Sequence, residues 1–308
     1  MLLGNFERAW HISDAVLRER HRRGLSCAGQ PNHLRWVWDG RALAGNRVLV
    51  RCYHGLGDVI LFVRYAAVLR RIASHVTVQA APQLLPLLGR VEGIDAVVPL
   101  VPGTPTPPAD VEIELMEVPH ALRATLAEIP DRVPYVHVDR NRIPARRREL
   151  GRPDRLKVGI VWAAGAWKPE RSVPLGLMRY LADVPGIDLV NLQRGPALAE
   201  LDTTPGVRWL IEWGERSEDL VETAVTLRAL DLVIAVDTMI AHLAGALAVP
   251  IWTLLHQDAD WRWLLGRNDT PWYPTMRLFR QRVPGDWAPV IDDVARSLAA
   301  LSCQATFR

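Results

Sequence analysis

Cysteine is scarce in this chain of 308 residues. There are three, Cys27, Cys52 and Cys303, far apart and without a CxxC pair. So small and unpatterned a set excludes a disulfide framework and a structural zinc site as the basis of the fold. Long hydrophobic runs are lacking too. No stretch reaches the roughly eighteen uncharged apolar residues of a membrane span. At the N-terminus, Glu7 and Arg8 interrupt MLLGNFERAWHISD before it could form the apolar core of a signal peptide. A cytoplasmic location is the resulting expectation. Low-complexity tracts are absent, and a composition 49% hydrophobic and 23% charged excludes a disordered chain. The net charge of +3 comes from arginine and not from a lysine tail. So mild a balance suits an acidic small molecule as well as nucleic acid.

What is present is an alternation of strand and helix patterns in a chain long enough for two domains. Residues 6–23 read as an amphipathic helix, with Phe6, Ala9, Trp10, Val16 and Leu17 along one face. Strand VLVRCY (48–53), the turn HGLGD and the helical stretch DVILFVRYAAVLRRIA follow. Then come strand VTVQA, helix PQLLPLL, strand DAVVPL, and strand-like VEIEL and YVHV. The arginine- and proline-rich NRIPARRRELGRPDR (141–155) has no apolar periodicity and reads as an inter-domain linker. A second series begins with KVGIVW (157–162) and IDLVNLQ (187–193). It continues through helix SEDLVETAVTLRAL, strand DLVIAV (231–236), helix TMIAHLAGAL and strand PIWTLL to a last helix near 286–301. The expected fold class is α/β, with an N-terminal domain over 1–150 and a C-terminal domain over 151–308. Each is doubly wound, and the cleft between them is the default ligand site.

Several motifs could carry chemistry. In VDTMIAHLAGAL (236–247) a buried strand ends at Val236, Asp237 and Thr238 form the turn, and a small-residue helix begins. Thr238 or Asp237 reads as an ordinary N-cap; the same helix start, with its positive dipole end, also suits a diphosphate. His242 lies one turn in, facing either ligand or core. HGLGD (54–58) has two glycines between strand and helix, but Ile60 stands where a dinucleotide fingerprint needs a third. Asp58 reads either as a plain N-terminal helix carboxylate or as a general base. In VWAAGAWKPERSVPL (161–175) Lys168 and Arg171 could meet an anion, with a surface salt bridge the preferred reading for Lys168. LQRG (192–195) could border a base or ribose, or simply turn. DAD (258–260) resembles a metal-binding Asp-x-Asp, yet Asp260 precedes WRWLL as an N-cap would, so no metal is assigned. Trp261, Trp263, Trp272 and Tyr273 could line a sugar pocket or stack bases. Without a basic stripe around them, nucleic acid is not the expected partner.

Together HGLGDVILFVRYAAVL, VGIVW…RSVPL, LQRGPALAEL, LDLVIAVDTMIAHLAGAL and DWRWLLGRNDTPWYPTMRLFRQ…GDW resemble glycosyltransferase family 9, the ADP-heptose:lipopolysaccharide heptosyltransferases. The likeness is strongest to the heptosyltransferase-like domains that follow tetratricopeptide repeats, and runs from about residue 35 to the end. It implies a GT-B architecture of two Rossmann-like domains, acceptor on the first and nucleotide sugar on the second. Asp58 matches the family's catalytic base, with His54, Gly55 and Gly57 forming the acceptor-side loop. Arg171 falls where the family has a basic residue near the donor phosphates. Glu222 falls near its ribose-binding acid, and Gln193 borders the donor. Asp237, Thr238, Met239 and His242 match the phosphate-side turn. Two departures stand out: Tyr53-His54 replaces a Glu-Gln pair common in related repeat-linked domains, and SEDLVE precedes Thr223 in place of an Asp-Phe-x-Asp pattern.

The resemblance implies an inverting, metal-independent glycosyltransferase that uses no cofactor. The donor is a nucleotide sugar, with ADP-heptose the family's first suggestion, and the acceptor is a glycan, lipid or protein. The alternative is a non-catalytic sugar-nucleotide-binding or interaction module of the same fold. The arginine-rich N-terminal helix is open to a membrane surface or a repeat-protein contact.

Overall fold

The computed structural model describes all residues except 28, 166–167, 205–209, 213–218 and 307–308; at 210–212 and 305–306 it describes the backbone alone. The chain forms two compact units, Met1–His137 and Val138–Arg308.

The first unit begins with α1 (Phe6–Arg23), capped by the Asn5 side chain on the Arg8 amide and ended by Gly24 in the left-handed region. Its docking is narrower than the sequence pattern suggests: Phe6 and Trp10 are buried, whereas Val16 is exposed. Trp10 Nε1 donates to the Ala124 carbonyl at 2.7 Å. Asp14 accepts from Arg123 and meets His120 at 2.8 Å. These bonds, Arg123's foremost, pull the Asp14 carboxyl down to about 2. The sheet contains β1 (Arg47–Arg51), β2 (His75–Ala80), β3 (Ala96–Pro99) and β4 (Val111–Glu114) in the order β3-β2-β1-β4, every pair parallel. Val48 and Val50 of β1 and Val76, Val78 and Ala80 of β2 are buried on one face, while the other carries Leu49 with the buried polar Thr77 and Gln79. The stretch after HGLGD is not one helix. It is α2 (Leu56–Phe62), a 3₁₀ turn at Val63–Tyr65 and α3 (Ala66–Arg70). α4 (Leu85–Leu88) and α5 (Val118–Ala121) are single turns. YVHV is no strand. Its Tyr135 instead bonds the Ile60 carbonyl and the buried Arg64 guanidinium, which also holds the Pro130 carbonyl.

The second unit opens on the segment read as a linker, which is folded. α6 (Ile143–Glu149) lays its arginines along the unit. Arg147 donates to both Asp231 carboxylate oxygens and to the Ala229 carbonyl, and Arg142 and Arg146 both bind Glu222. The sheet of β5 (Leu156–Val161), β6 (Ile187–Asn191), β7 (Leu210–Glu212), β8 (Leu232–Val236), β9 (Ile251–Leu255) and β10 (Met276–Arg280) has the order β10-β9-β8-β5-β6-β7, again all parallel. α7 (Leu175–Ala182), α8 (Glu200–Thr203), α9 (Leu220–Arg228), α10 (Met239–Ala246) and α11 (Ala288–Thr306) complete it. One core joins Ile160, Trp162, Ile234 and Leu254 of the sheet to Met178 of α7 and Val294 of α11. The strand order reverses between β5 and β8, the point at which loops leaving the carboxyl ends of an open α/β sheet run to opposite sides. Among the described residues no helix is long and apolar enough to cross a membrane.

Candidate active site

The β8–α10 turn lies at that reversal. All five residues of β8 are buried, so the strand delivers the turn from a rigid base. Asp237 is buried and held by its surroundings: Oδ2 accepts from Trp263 Nε1 at 3.0 Å, and Oδ1 lies 3.7 Å from His242 Nε2. The other His242 nitrogen meets the Tyr273 hydroxyl at 3.1 Å, and the imidazole stacks on Trp263 at 5.4 Å. Gly245 lets this cluster close, because a Cβ there would lie 2.4 Å from the Tyr273 ring. Trp263, Trp272 and Tyr273 are therefore core residues behind the turn, whereas Trp261 is half-buried. Asp260 accepts from the Arg262 amide as the N-cap of the short turn at Trp261–Trp263.

With Asp237 and His242 turned inward, Thr238 and Met239 remain half-exposed at the helix start. The Thr238 side chain does not cap α10; its hydroxyl donates back to the Val236 carbonyl at 3.2 Å. Arg171 lies directly beside this start, donating through Nη1 to the Asp237 carbonyl at 3.1 Å. Lys168 pairs with Asp258 and its carbonyl at 3.5 and 3.0 Å, as a surface cation does.

Gln193 and Glu222, expected from the sequence to meet a donor, are both engaged within the unit. Gln193 is buried, and its carboxamide staples the exit of β5: Oε1 accepts from the Trp162 and Ala163 amides, and Nε2 donates to the Ala163 and Arg194 carbonyls. Glu222 is ion-paired to Arg142 and Arg146. A ribose hydroxyl would have to displace or share those arginines.

In the first unit, Gly55 precedes α2 with φ −62°, an ordinary value. Asp58 stands at the third helical position and accepts from the Gly55 amide at 3.1 Å, one half of a capping box. It is half-buried, as are His54 and Gly57. Sequence reasoning missed Glu114. It ends β4 in register with Arg51, 2% exposed, with Oε2 lying 3.8 Å from His54 Nε2 and accepting from the Met116 amide at 2.7 Å. Burial pushes its carboxyl up to about 8 against the pull of the Met116 amide, and the Glu117 charge adds to the rise. The only signal in the sequence is a glutamate ending a strand-like run, VEIEL. Among the described residues no group of three or more His, Cys, Asp or Glu is arranged to hold a metal ion.

Two successive parallel α/β units of this kind define the GT-B class of glycosyltransferase folds. In particular, the chain is similar to the glycosyl transferase family 9 structure from Veillonella parvula DSM 2008 (14% identity, 86% of this chain and 99% of that one, TM-score 0.63). It is similar also to E. coli ADP-heptose lps heptosyltransferase II (15% identity, 84% and 99%, TM-score 0.60). E. coli heptosyltransferase WaaC, solved with ADP-2-deoxy-2-fluoro heptose, matches at 12% identity over 82% and 99%, with a TM-score of 0.52. At such identities the likeness defines the fold. By sequence, the chain is 27% identical to Protein FlbA of Caulobacter vibrioides over 299 residues, covering 85% of this chain. It spans about half, 48%, of that protein's length. No protein-family model matches the chain.

Proposed function

We propose that this chain is a family 9-like glycosyltransferase that moves a sugar from a nucleoside diphosphate to an acceptor hydroxyl with inversion, without a metal. One observation carries the reading: the start of α10 lacks a side-chain cap and has the Arg171 guanidinium on its first carbonyl neighbour. Helix dipole and guanidinium together favour the two negative charges of a diphosphate. The acceptor oxygen forms a bond to the anomeric carbon on the face opposite the leaving group. The bond from that carbon to the phosphate oxygen breaks, and its electron pair leaves with the diphosphate. The acceptor's proton passes to Asp58. A carboxylate is a weak base for a free alcohol, but it needs to accept only as the new bond forms and the hydroxyl grows acidic. Heptose on ADP is the first donor to try, because the E. coli structures of the same fold are named for it.

A specific arrangement favours a second reading, a sugar-nucleotide-binding module without turnover: Asp58 caps its own helix, and Glu222 and Gln193 are engaged within their unit. A thermal-shift panel of ADP-, GDP-, UDP- and dTDP-sugars, followed by an assay for released nucleoside diphosphate, separates the two. Stabilisation with release supports transfer, stabilisation alone supports the module, and a blank panel sinks both.

A further inference from the structure

Beside the Asp58 turn lies a buried acid for which the proposed transfer has no role. Glu114 and Arg51 are paired last residues of adjacent parallel strands, so Glu114 stands against the entry to the 52–55 turn. Its Oε1 is buried and has no hydrogen-bond partner among the described residues. Oε2 lies within 3.8 Å of His54 Nε2, and about a quarter of that imidazole (24%) is exposed. The histidine thus joins the buried acid to the surface of the turn. A lone carboxylate oxygen in such a place is costly, and the cost is avoided by keeping a proton or sharing one with a neighbour. The raised Glu114 value accords with this geometry. Other titratable groups surround the pair. Cys52 has its thiol pushed well up by burial and by the Glu114 charge. Glu117 is held by the amides of Val37, Trp38 and Glu114 and acts on Arg20 of α1. Asp58 stands on α2.

We propose that His54 and Glu114 form an acid–base pair that offers a second proton acceptor for the acceptor hydroxyl, with His54 the contacting group and Glu114 its positioning residue. The proposal rests on the transfer reading above. In the competent form Glu114 is a carboxylate, His54 Nε2–H points at it, and Nδ1 holds the lone pair. As the acceptor oxygen bonds to the anomeric carbon and the diphosphate leaves with its electron pair, the acceptor's proton passes to Nδ1. The carboxylate stabilises the imidazolium so formed. A proton already held by the pair blocks this route, so it opens as pH rises through the pair's upper titration.

The test is a histidine-labelled NMR titration of the full chain and of Glu114→Gln, with His54→Gln used to assign the signal. The expected result is a two-step titration of His54, one step following the raised Glu114 titration, reduced in Glu114→Gln to one step. An identical His54 titration in both proteins, or a single ordinary step in the parent, overturns the pair; the parent spectrum decides even if the variant does not fold. ADP release from ADP-heptose with water as acceptor reads the catalytic half. Asp58 carries most of the parent rate, so the second route is read in Asp58→Ala: its residual rate should rise about tenfold per pH unit below the upper step, and adding Glu114→Gln should remove that limb while the donor-induced thermal shift persists. Superimposable profiles, with turnover present, remove the pair from catalysis. Absence of both turnover and donor-induced shift overturns transfer itself and the catalytic role with it, leaving NMR to decide the pair.

Discussion

The turn after β1 and the turn after β8 share one grammar: an apolar parallel strand, a short turn carrying an aspartate, and a helix. Their aspartates are used in opposite ways. Asp58 is half-buried at the mouth of its turn, where it accepts a capping bond from the Gly55 amide. Asp237 is buried under Trp263 and beside His242, holding its turn rigid from behind. The first turn therefore offers a side chain, and the second offers backbone. An acidic side chain at the front of the second turn would repel a diphosphate. Turned inward, the same residue leaves the helix start and Arg171 to face an anion.

That contrast can be broken or sharpened by four measurements. Asp58→Ala should lower turnover by roughly 10²–10⁴ with the donor-induced thermal shift intact; unchanged turnover would move the proton to another group. Glu114→Gln tests the buried acid beside the first turn through stability. The folded state keeps a proton up to about pH 8 that the unfolded chain has lost in the ordinary carboxyl range. The folded form thus binds more protons, and stability falls as pH rises across that window, by up to about 1.4 kcal/mol per pH unit. Urea denaturation from pH 5 to 9 should show this slope in the parent and a flatter one in the variant. Parallel slopes would mean that Glu114 titrates normally.

Asp237→Ala should cost about 1–3 kcal/mol, because it leaves the buried Trp263 indole N–H without its acceptor. It should also weaken donor binding by loosening the turn. Full donor affinity in a destabilised Asp237→Ala would break the claim that the residue acts by holding the backbone. The smallest effect belongs to Glu222→Gln. Its ion pairs with Arg142 and Arg146 are partly exposed, so the stability loss should be about 1 kcal/mol or less. A fall in donor affinity beyond about tenfold, equivalent to about 1.4 kcal/mol, would give the carboxylate a ribose role in addition.

Strand positions were legible because strands buried on both faces must be apolar almost throughout, as LVIAV of β8 is. The two turns were legible because glycine, aspartate and threonine between a strand and a helix have few other uses. The 141–155 segment misled. Its arginines lack apolar periodicity, but their partners Glu222 and Asp231 lie some eighty residues onward, where no local pattern reports them. Trp263, Trp272 and Tyr273 misled for the same reason, since an aromatic side chain's burial depends on what closes over it. In VEIEL, Glu112 meets Arg51 at 2.7 Å and stays partly exposed, while Glu114, two residues on, is covered. A period of two puts both on one side of the strand; only the neighbouring turn distinguishes them.

From the sequence alone came two α/β series, their parallel strands and the two aspartate-bearing turns between strand and helix, because hydrophobic periodicity and turn chemistry are local. Tertiary structure decided which way each polar side chain faces: Asp237 inward to Trp263, Gln193 onto the end of β5, Glu222 onto α6, and Glu114 beneath His54. Those choices depend on partners brought together by folding, and a hydrogen bond or an ion pair leaves no periodic mark on the chain.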